Sequence, residues 1–527
     1  MGFSGFGLVG FGLLAEVRQQ AADGAPAIGN SQFFWWIFLI IAFLLPYGLV
    51  VSELGTTYDD EGGLYDWVRR AFGDKWGSRV SWYYWINFPL WMASLAFLFP
   101  ETISMITGME IGLVPSLAIE LAFIWIVVFL SFSKVSDSAW ILNLAAVLKV
   151  GIALVVGGLG IWYAVNFGFA NDMAPETFLP ALDSNSLTYL SIILFNFMGF
   201  EVITTYVGSM ENPNKQIPRA IIAGGIAIAA LYLFSSFGIG AAIPAMDISL
   251  DSGIMDAVGI MAGVGSVLFI VVGIVFLITL FGNMVSWSFG VNFVAEHAAR
   301  KKNMPKVFAH ESKKNQMPTG AAIVNGVVAS VLVLLSPVME LAGFDSFFWI
   351  FFSMNIVFLL ISYIPMFPAF LKLRKIDPAA NRVFKVPGGH GVALVVAWVP
   401  VILLVLAIIA TIVPLNGSPD EMGKIPMLIG VIAFVILGEI VRIWSARGRK
   451  DDYGGMGSSG DPFEFDVAHG YEEMPESEKI AVEEDLLIGR EPRDLGESVN
   501  RIHRYVLSGL VVILDENRAE APSGLSS

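Results

Sequence analysis

The chemistry this chain offers begins with a carboxylate two residues beyond a glycine, inside an apolar run. The segment Phe195-Asn196-Phe197-Met198-Gly199-Phe200-Glu201 would otherwise read as part of a membrane-crossing helix. A charged side chain at bilayer depth is costly unless it faces a cavity or a partner. Backbone that leaves the helix there frees N–H and C=O groups, which must find other partners. A broken helix beside an acid points to a pathway for a solute, with Glu201 as a charged group on it. The alternative is that Gly199 serves close helix packing.

Other polar residues are few. Lys149 lies near the middle of its apolar run, where its ammonium cannot easily reach water. Glu53, toward one end of its run, is read as an anchor for the segment 61–73 that follows. Asn87 is polar at moderate depth, placed either to touch a solute or to hydrogen-bond a neighbouring helix. The five histidines, His297, His310, His390, His469 and His503, are dispersed, with no metal-binding spacing. Cysteine is absent, which excludes disulfides, thiolate metal sites and thiol nucleophiles. The chain contains no G-x-x-x-x-G-K loop, no H-E-x-x-H and no nucleophile with a nearby base, so we expect no enzyme, no cofactor and no metal.

These residues must be positioned by membrane helices. Hydrophobic residues make up 56% of the chain and charged residues only 15%, with a mean hydropathy of +0.70, a balance that excludes a soluble domain of this length. Runs long enough to span a bilayer extend from Ser31 to Leu54, Ser81 to Ile106, Leu113 to Phe132, Ser138 to Asn166, Ser186 to Gly208 and Ile217 to Ile243. They continue from Gly263 to Ala298, Thr319 to Ser336, Asp345 to Leu373, Gly391 to Pro414 and Ile425 to Trp444, eleven in all, with Met1 to Val17 as a partial twelfth. Lysine and arginine gather in alternate loops, among them Arg69, Arg70, Lys301, Lys302, Arg374 and Arg447, while Arg18 and Lys424 stand alone on the other side. By the positive-inside rule the basic loops and the C-terminus are cytoplasmic. The formal charge of -15 is mostly a property of the segment 447–527, an acidic tail expected to be largely disordered, in which Val499 to Leu514 could dock as a short strand or amphipathic helix.

The spans also repeat. Five, counting the partial first, occupy residues 1–166, and five more occupy 186–374; an odd number inverts the second set, and two extra spans fill 391–446. Both sets open with a glycine-bearing span, and both place a short amphipathic segment, Gly63 to Phe72 or Leu250 to Met261, between their second and third spans. The expected fold is therefore all-α and membrane-integral, an inverted 5+5 repeat with two further spans and a first span incomplete at its N-terminus. Residues 1–446 form the transport domain in this reading.

The stretch Ser52-Glu53-Leu54-Gly55, with 61–73 beginning Glu61-Gly62-Gly63-Leu64-Tyr65-Asp66-Trp67, resembles the second-span signature of the amino acid, polyamine and organocation (APC) transporter superfamily. Gly199-Phe200-Glu201 continuing into Glu211-Asn212-Pro213, and the stretch from Trp287 to Met304-Pro305, are similar to the same superfamily. The phrases Leu45-Pro46-Tyr47-Gly48 and Asp60-Glu61-Gly62-Gly63 look most like its glutamate/GABA exchanger branch. The resemblance implies that main chain at Gly2, Phe3, Ser4 and Gly5 of the first span and at Met198, Gly199 and Phe200 of the sixth holds a small amino acid. Phe195 corresponds to a gating aromatic of arginine/agmatine exchangers and Trp287 to their eighth-span tryptophan; either ring could hold an ammonium. In proton-coupled relatives a lysine in the context of Lys149 faces the unwound first span, which makes Lys149 and Glu201 the coupling candidates; a permanently charged strut is the other reading of Lys149.

The function expected is a secondary active amino acid transporter of the plasma membrane, working by alternating access, sodium-independent, and either proton-coupled or exchanging substrates. A glutamate/GABA-type exchanger without net proton coupling and a non-transporting sensor are the alternatives. The lack of a clear intramembrane acid other than Glu201 weighs mildly against polyamines. The partners expected are a small amino acid, protons and the lipid bilayer, with no nucleic acid. Because Met1 stands immediately before Gly2, the half-helix that should precede the first break is expected upstream of the sequence given, or else the chain is a truncated copy.

Overall fold

The computed structural model describes residues 29–58, 62–180, 182, 184–201, 213–248, 253–341 and 347–452. The expectations for the first span, including Gly2, Phe3, Ser4 and Gly5, and for the tail beyond 452 lie outside these residues.

Among the described residues every regular element is helical. In order they are α1 (Ser31–Thr57), α2 (Leu64–Phe72), α3 (Asp74–Thr107), α4 (Leu113–Leu130), α5 (Val135–Phe167), α6 (Ser184–Asn196) and α7 (Pro213–Ala242). There follow α8 (Gly253–Ala262), α9 (Val267–Arg300), α10 (Thr319–Leu341), α11 (Phe347–Tyr363), α12 (Met366–Ile376), α13 (Gly389–Ile412) and α14 (Ile425–Asp452). Ten segments among the described residues are long and apolar enough to cross a membrane. They match the runs read from hydropathy with one exception: the run from Ser186 stops as helix α6 at Asn196, after 13 residues, a length of about 20 Å that does not span the hydrocarbon core.

The order of elements carries the repeat. Second, third, fourth and fifth spans of the first set are α1, α3, α4 and α5, with the short α2 between second and third. The second set runs α6, α7, α9, α10 and α11–α12, with the short α8 in the same place, and α13 and α14 follow. This is the inverted 5+5 arrangement with two added spans.

Local chemistry sets the helix ends and contacts. α3 closes on Gly108, whose φ of 67° is the left-handed conformation glycine tolerates, and whose N–H donates to the Ser104 carbonyl at 2.8 Å. Ser266 caps α9, its Oγ accepting from the Phe269 N–H at 3.1 Å. α5 and α7 touch backbone to backbone: a Cβ at Gly160 would fall 2.3 Å from the Gly238 Cα, so only glycine permits this approach.

Glu53 does not anchor the segment 61–73. Its buried carboxylate pairs in a bidentate manner with Arg374 of α12, at 2.7 Å to Nε and 2.5 Å to Nη2, and accepts the Val386 N–H at 2.7 Å, with Arg382 Nε at 3.5 Å. The planar fork of the Arg374 guanidinium matches the two carboxylate oxygens. The segment 61–73 has its own tie: His297 Nε2, in the last turn of α9, donates to Asp66 Oδ2 of α2 at 2.8 Å, and the Gly62 N–H reaches the same oxygen at 3.1 Å.

Candidate substrate site

α6 ends because Phe197, Met198 and Gly199 leave the helix. The Phe197 N–H turns back to the Leu194 carbonyl at 3.0 Å, and Gly199 takes a φ of 99°, which a side chain would strain. Phe200 and Glu201 then begin a tighter turn. The C-terminal carbonyls of α6 face this break and carry the negative end of the helix dipole.

Three tyrosines converge on the break. Tyr47 of α1 donates to Glu201 Oε2, and Tyr84 of α3 donates to Oε1 at 2.8 Å. The Gly199 N–H reaches Glu201 Oε2 at 3.1 Å and the Tyr363 hydroxyl of α11 at 3.0 Å. The Glu201 N–H in turn reaches the Tyr47 hydroxyl at 3.2 Å. Glu201 is only 2% exposed, and its carboxylate accepts three hydrogen bonds from neutral donors. These three donors bring no formal charge of their own to the carboxylate.

An aromatic wall continues from the carboxylate. Tyr84 lies 6.1 Å, ring to ring, from Trp287 of α9, which lies 5.9 Å from Trp91 of α3. Trp91 meets Phe195 at 5.6 Å, and Phe195 meets Phe352 of α11 at 5.7 Å. Phe195 and Trp287 are therefore brought together through Trp91. Asn87 shares a helix face with Tyr84 and Trp91; its Nδ2 donates to the Tyr84 carbonyl, and its buried Oδ1 has no hydrogen-bond partner. Met198 is buried at the break, and the Phe200 ring lies 6.4 Å from Tyr47. Each ring of this wall is buried. A cavity of about 460 Å³ lies between the end of α3, α8 and the start of α9.

Lys149 lies on another helix. It is 5% exposed on α5, a helix that packs on α7 and α9 and contributes none of the rings or hydroxyls named above. The sequence reading did not single out Tyr47 or Tyr363, and it weighed Tyr84 only as one weak aromatic candidate beside Trp82, Tyr83, Trp85 and Trp91. Tyr47 lay within a phrase used only for resemblance, and Tyr84 sits in the aromatic-rich Trp82-Tyr83-Tyr84-Trp85, so its spacing gave no sign that one hydroxyl differs from its neighbours.

Comparison with known proteins follows the geometry. The family model described as amino acid permease matches residues 6–437. A probable agmatine/putrescine antiporter, AguD of Lactococcus lactis, is 50% identical over 424 residues, covering 80% of this chain and 90% of that protein. A glutamate/gamma-aminobutyrate antiporter of the same species is 22% identical over 447 residues, covering 81% of this chain and 88% of its own. A probable polyamine transporter of Arabidopsis thaliana is 26% identical over 410 residues, covering 76% of each. Among solved structures, MhsT in complex with L-phenylalanine aligns with a TM-score of 0.51 at 16% identity, over 78% of this chain and 98% of that one, which is a likeness of fold.

Proposed function

The chain belongs to the amino acid permease family, whose relatives are membrane transporters and antiporters rather than enzymes, and we propose that within it this protein exchanges small organic dications of the agmatine and putrescine type across the membrane. The observation that carries this reading is Glu201, a buried carboxylate that accepts from two tyrosine hydroxyls and a backbone N–H, at the carbonyl end of α6 and beside an aromatic wall. A carboxylate and a helix C-terminus both attract positive charge, and indole and phenol faces hold a second cationic group by cation–π attraction. A substrate carboxylate would instead meet Glu201 as a like charge. The weight that the sequence placed against polyamines is therefore reversed. The likeness to the agmatine/putrescine antiporter supports the same direction.

Agmatine carries a guanidinium and an ammonium, and putrescine two ammoniums, all charged at neutral pH. Exchange of one dication for another moves no net charge, so the two concentration gradients suffice to drive it without sodium. In this reading the basic loops face the cytoplasm.

Counterflow in proteoliposomes tests the proposal. Vesicles loaded with putrescine should accumulate labelled agmatine, saturably and without sodium, and glutamate should neither enter nor compete. Saturable exchange of glutamate for GABA, with no response to either amine, would replace this reading with the other branch of the family.

A further inference from the structure

α4 carries one charged residue, Glu120, in an otherwise uncharged helix of 18 residues. The buried positions Glu120, Phe123, Ile124, Val127 and Val128 follow the i, i+3, i+4, i+7, i+8 pattern of a single face. Ile126 and Phe129 are exposed on the other side. The inward face packs against three helices. Phe123 meets Phe99 of α3 at 4.3 Å and Phe281 of α9 at 6.1 Å, and Val128 lies against Gly326 of α10 so closely that a Cβ there would come within 2.7 Å. Glu120 is 4% exposed, its Oε2 is buried without a hydrogen-bond partner, and it lies seven residues, about 10 Å, inside the start of the helix.

No cation is at hand on these helices. α9 is uncharged from Val267 to Phe281, its Glu296, His297 and Arg300 lying at the opposite end, and α10 is uncharged from Thr319 to Val338. α3 bears Asp74, Lys75 and Arg79 at its far end. Its Glu101 shares a face with Phe97, which stacks on Phe351 of α11, and is turned about 200° from the Phe99 that meets α4. An ionised carboxylate with neither counter-ion nor donor is far more costly to bury than the neutral acid.

We propose that Glu120 is a proton-binding site of the carrier, separate from the candidate substrate site, which holds its proton within the packing of α3, α4, α9 and α10. Loss of that proton places a bare charge between these four helices. The sequence reading, which counted only Glu201, Glu53 and Lys149 at depth, passed over this residue.

The test does not require any substrate, so it stands or falls independently of amine exchange. In the infrared spectrum of the full chain in liposomes at neutral pH, wild type minus Glu120→Gln should show a neutral-carboxyl C=O band; a carboxylate band in its place overturns the proposal. For wild-type protein alone, dicyclohexylcarbodiimide, which partitions into the membrane and attacks neutral carboxyls, should label the Glu120 peptide in mass spectra, while a water-soluble carbodiimide should not. Labelling by the water-soluble reagent, or by neither, overturns it as well.

Discussion

The Tyr84 hydroxyl donates to Glu201 Oε1 at 2.8 Å across 117 residues of chain, joining the third span of the first repeat to the broken first span of the second. The bond sets one carboxylate oxygen while the Trp287 ring lies against the same tyrosine, so the carboxylate and the aromatic wall meet at one side chain. In an alternating-access carrier, such a link ties the occupancy of the site to the relative placement of the two repeats.

Removing the charge should outweigh removing a donor. Tyr84→Phe deletes one hydrogen bond to a charged group, worth about 1.5–3 kcal/mol, and should raise the half-saturating agmatine concentration by roughly 10- to 100-fold. Glu201→Gln should abolish saturable amine counterflow while leaving a folded protein in the membrane. Wild-type counterflow in Glu201→Gln would dismiss the carboxylate from the site.

The aromatic wall makes a separable claim. Trp287→Ala and Phe195→Ala should each weaken amine binding, whereas Trp398→Ala should not, because Trp398 is 49% exposed on α13 and remote from the cluster. A desolvated cation–π contact contributes about 2 kcal/mol, roughly 30-fold in affinity, and isothermal titration of the purified variants reads that difference directly. Equal affinities in all three would remove the gate.

Lys149 decides between exchange alone and proton-linked uptake. If it carries a coupling proton, net uptake into amine-free vesicles should respond to an imposed pH gradient, and Lys149→Met should lose that response while retaining amine-for-amine counterflow. Strict dependence on sodium, or an unchanged proton response in the variant, would leave substrate exchange as the mechanism.

The tie between α2 and α9 should appear in acid stability. Burial acts to raise the Asp66 carboxyl, but the hydrogen bond and charge of His297, with Arg70 and Arg69, outweigh it and hold the group below the usual carboxylate range. A depressed carboxyl contributes stability that is present above its unfolded value, about pH 4, and is lost as pH falls through the folded value. Thermal unfolding of solubilised wild type should therefore exceed that of Asp66→Asn at pH 7, with the gap closing below about pH 4. A gap that widens in acid would contradict the sign.

The span map was legible in the sequence because the bilayer makes it a local property: a run either is or is not long and apolar enough, and backbone groups in hydrocarbon must be bonded within the segment. The same local logic marked Gly199 and Glu201, since a helix-breaking glycine beside an acid conflicts with its surroundings wherever the chain goes afterwards. It also exposed the inverted repeat through the matching short segments that became α2 and α8. Hydropathy is silent about which face of one helix meets which face of another. The partners of Glu201 lie 154 and 117 residues away at Tyr47 and Tyr84, and Arg374 lies 321 residues from Glu53, so each pairing arises only when the helices pack. That is why Glu53 was assigned the wrong neighbour, why the tyrosine hydroxyls were not recognised as partners of Glu201, and why Glu120 looked like one more residue in a span: its significance is the absence of a partner, which the packing of α3, α4, α9 and α10 alone decides.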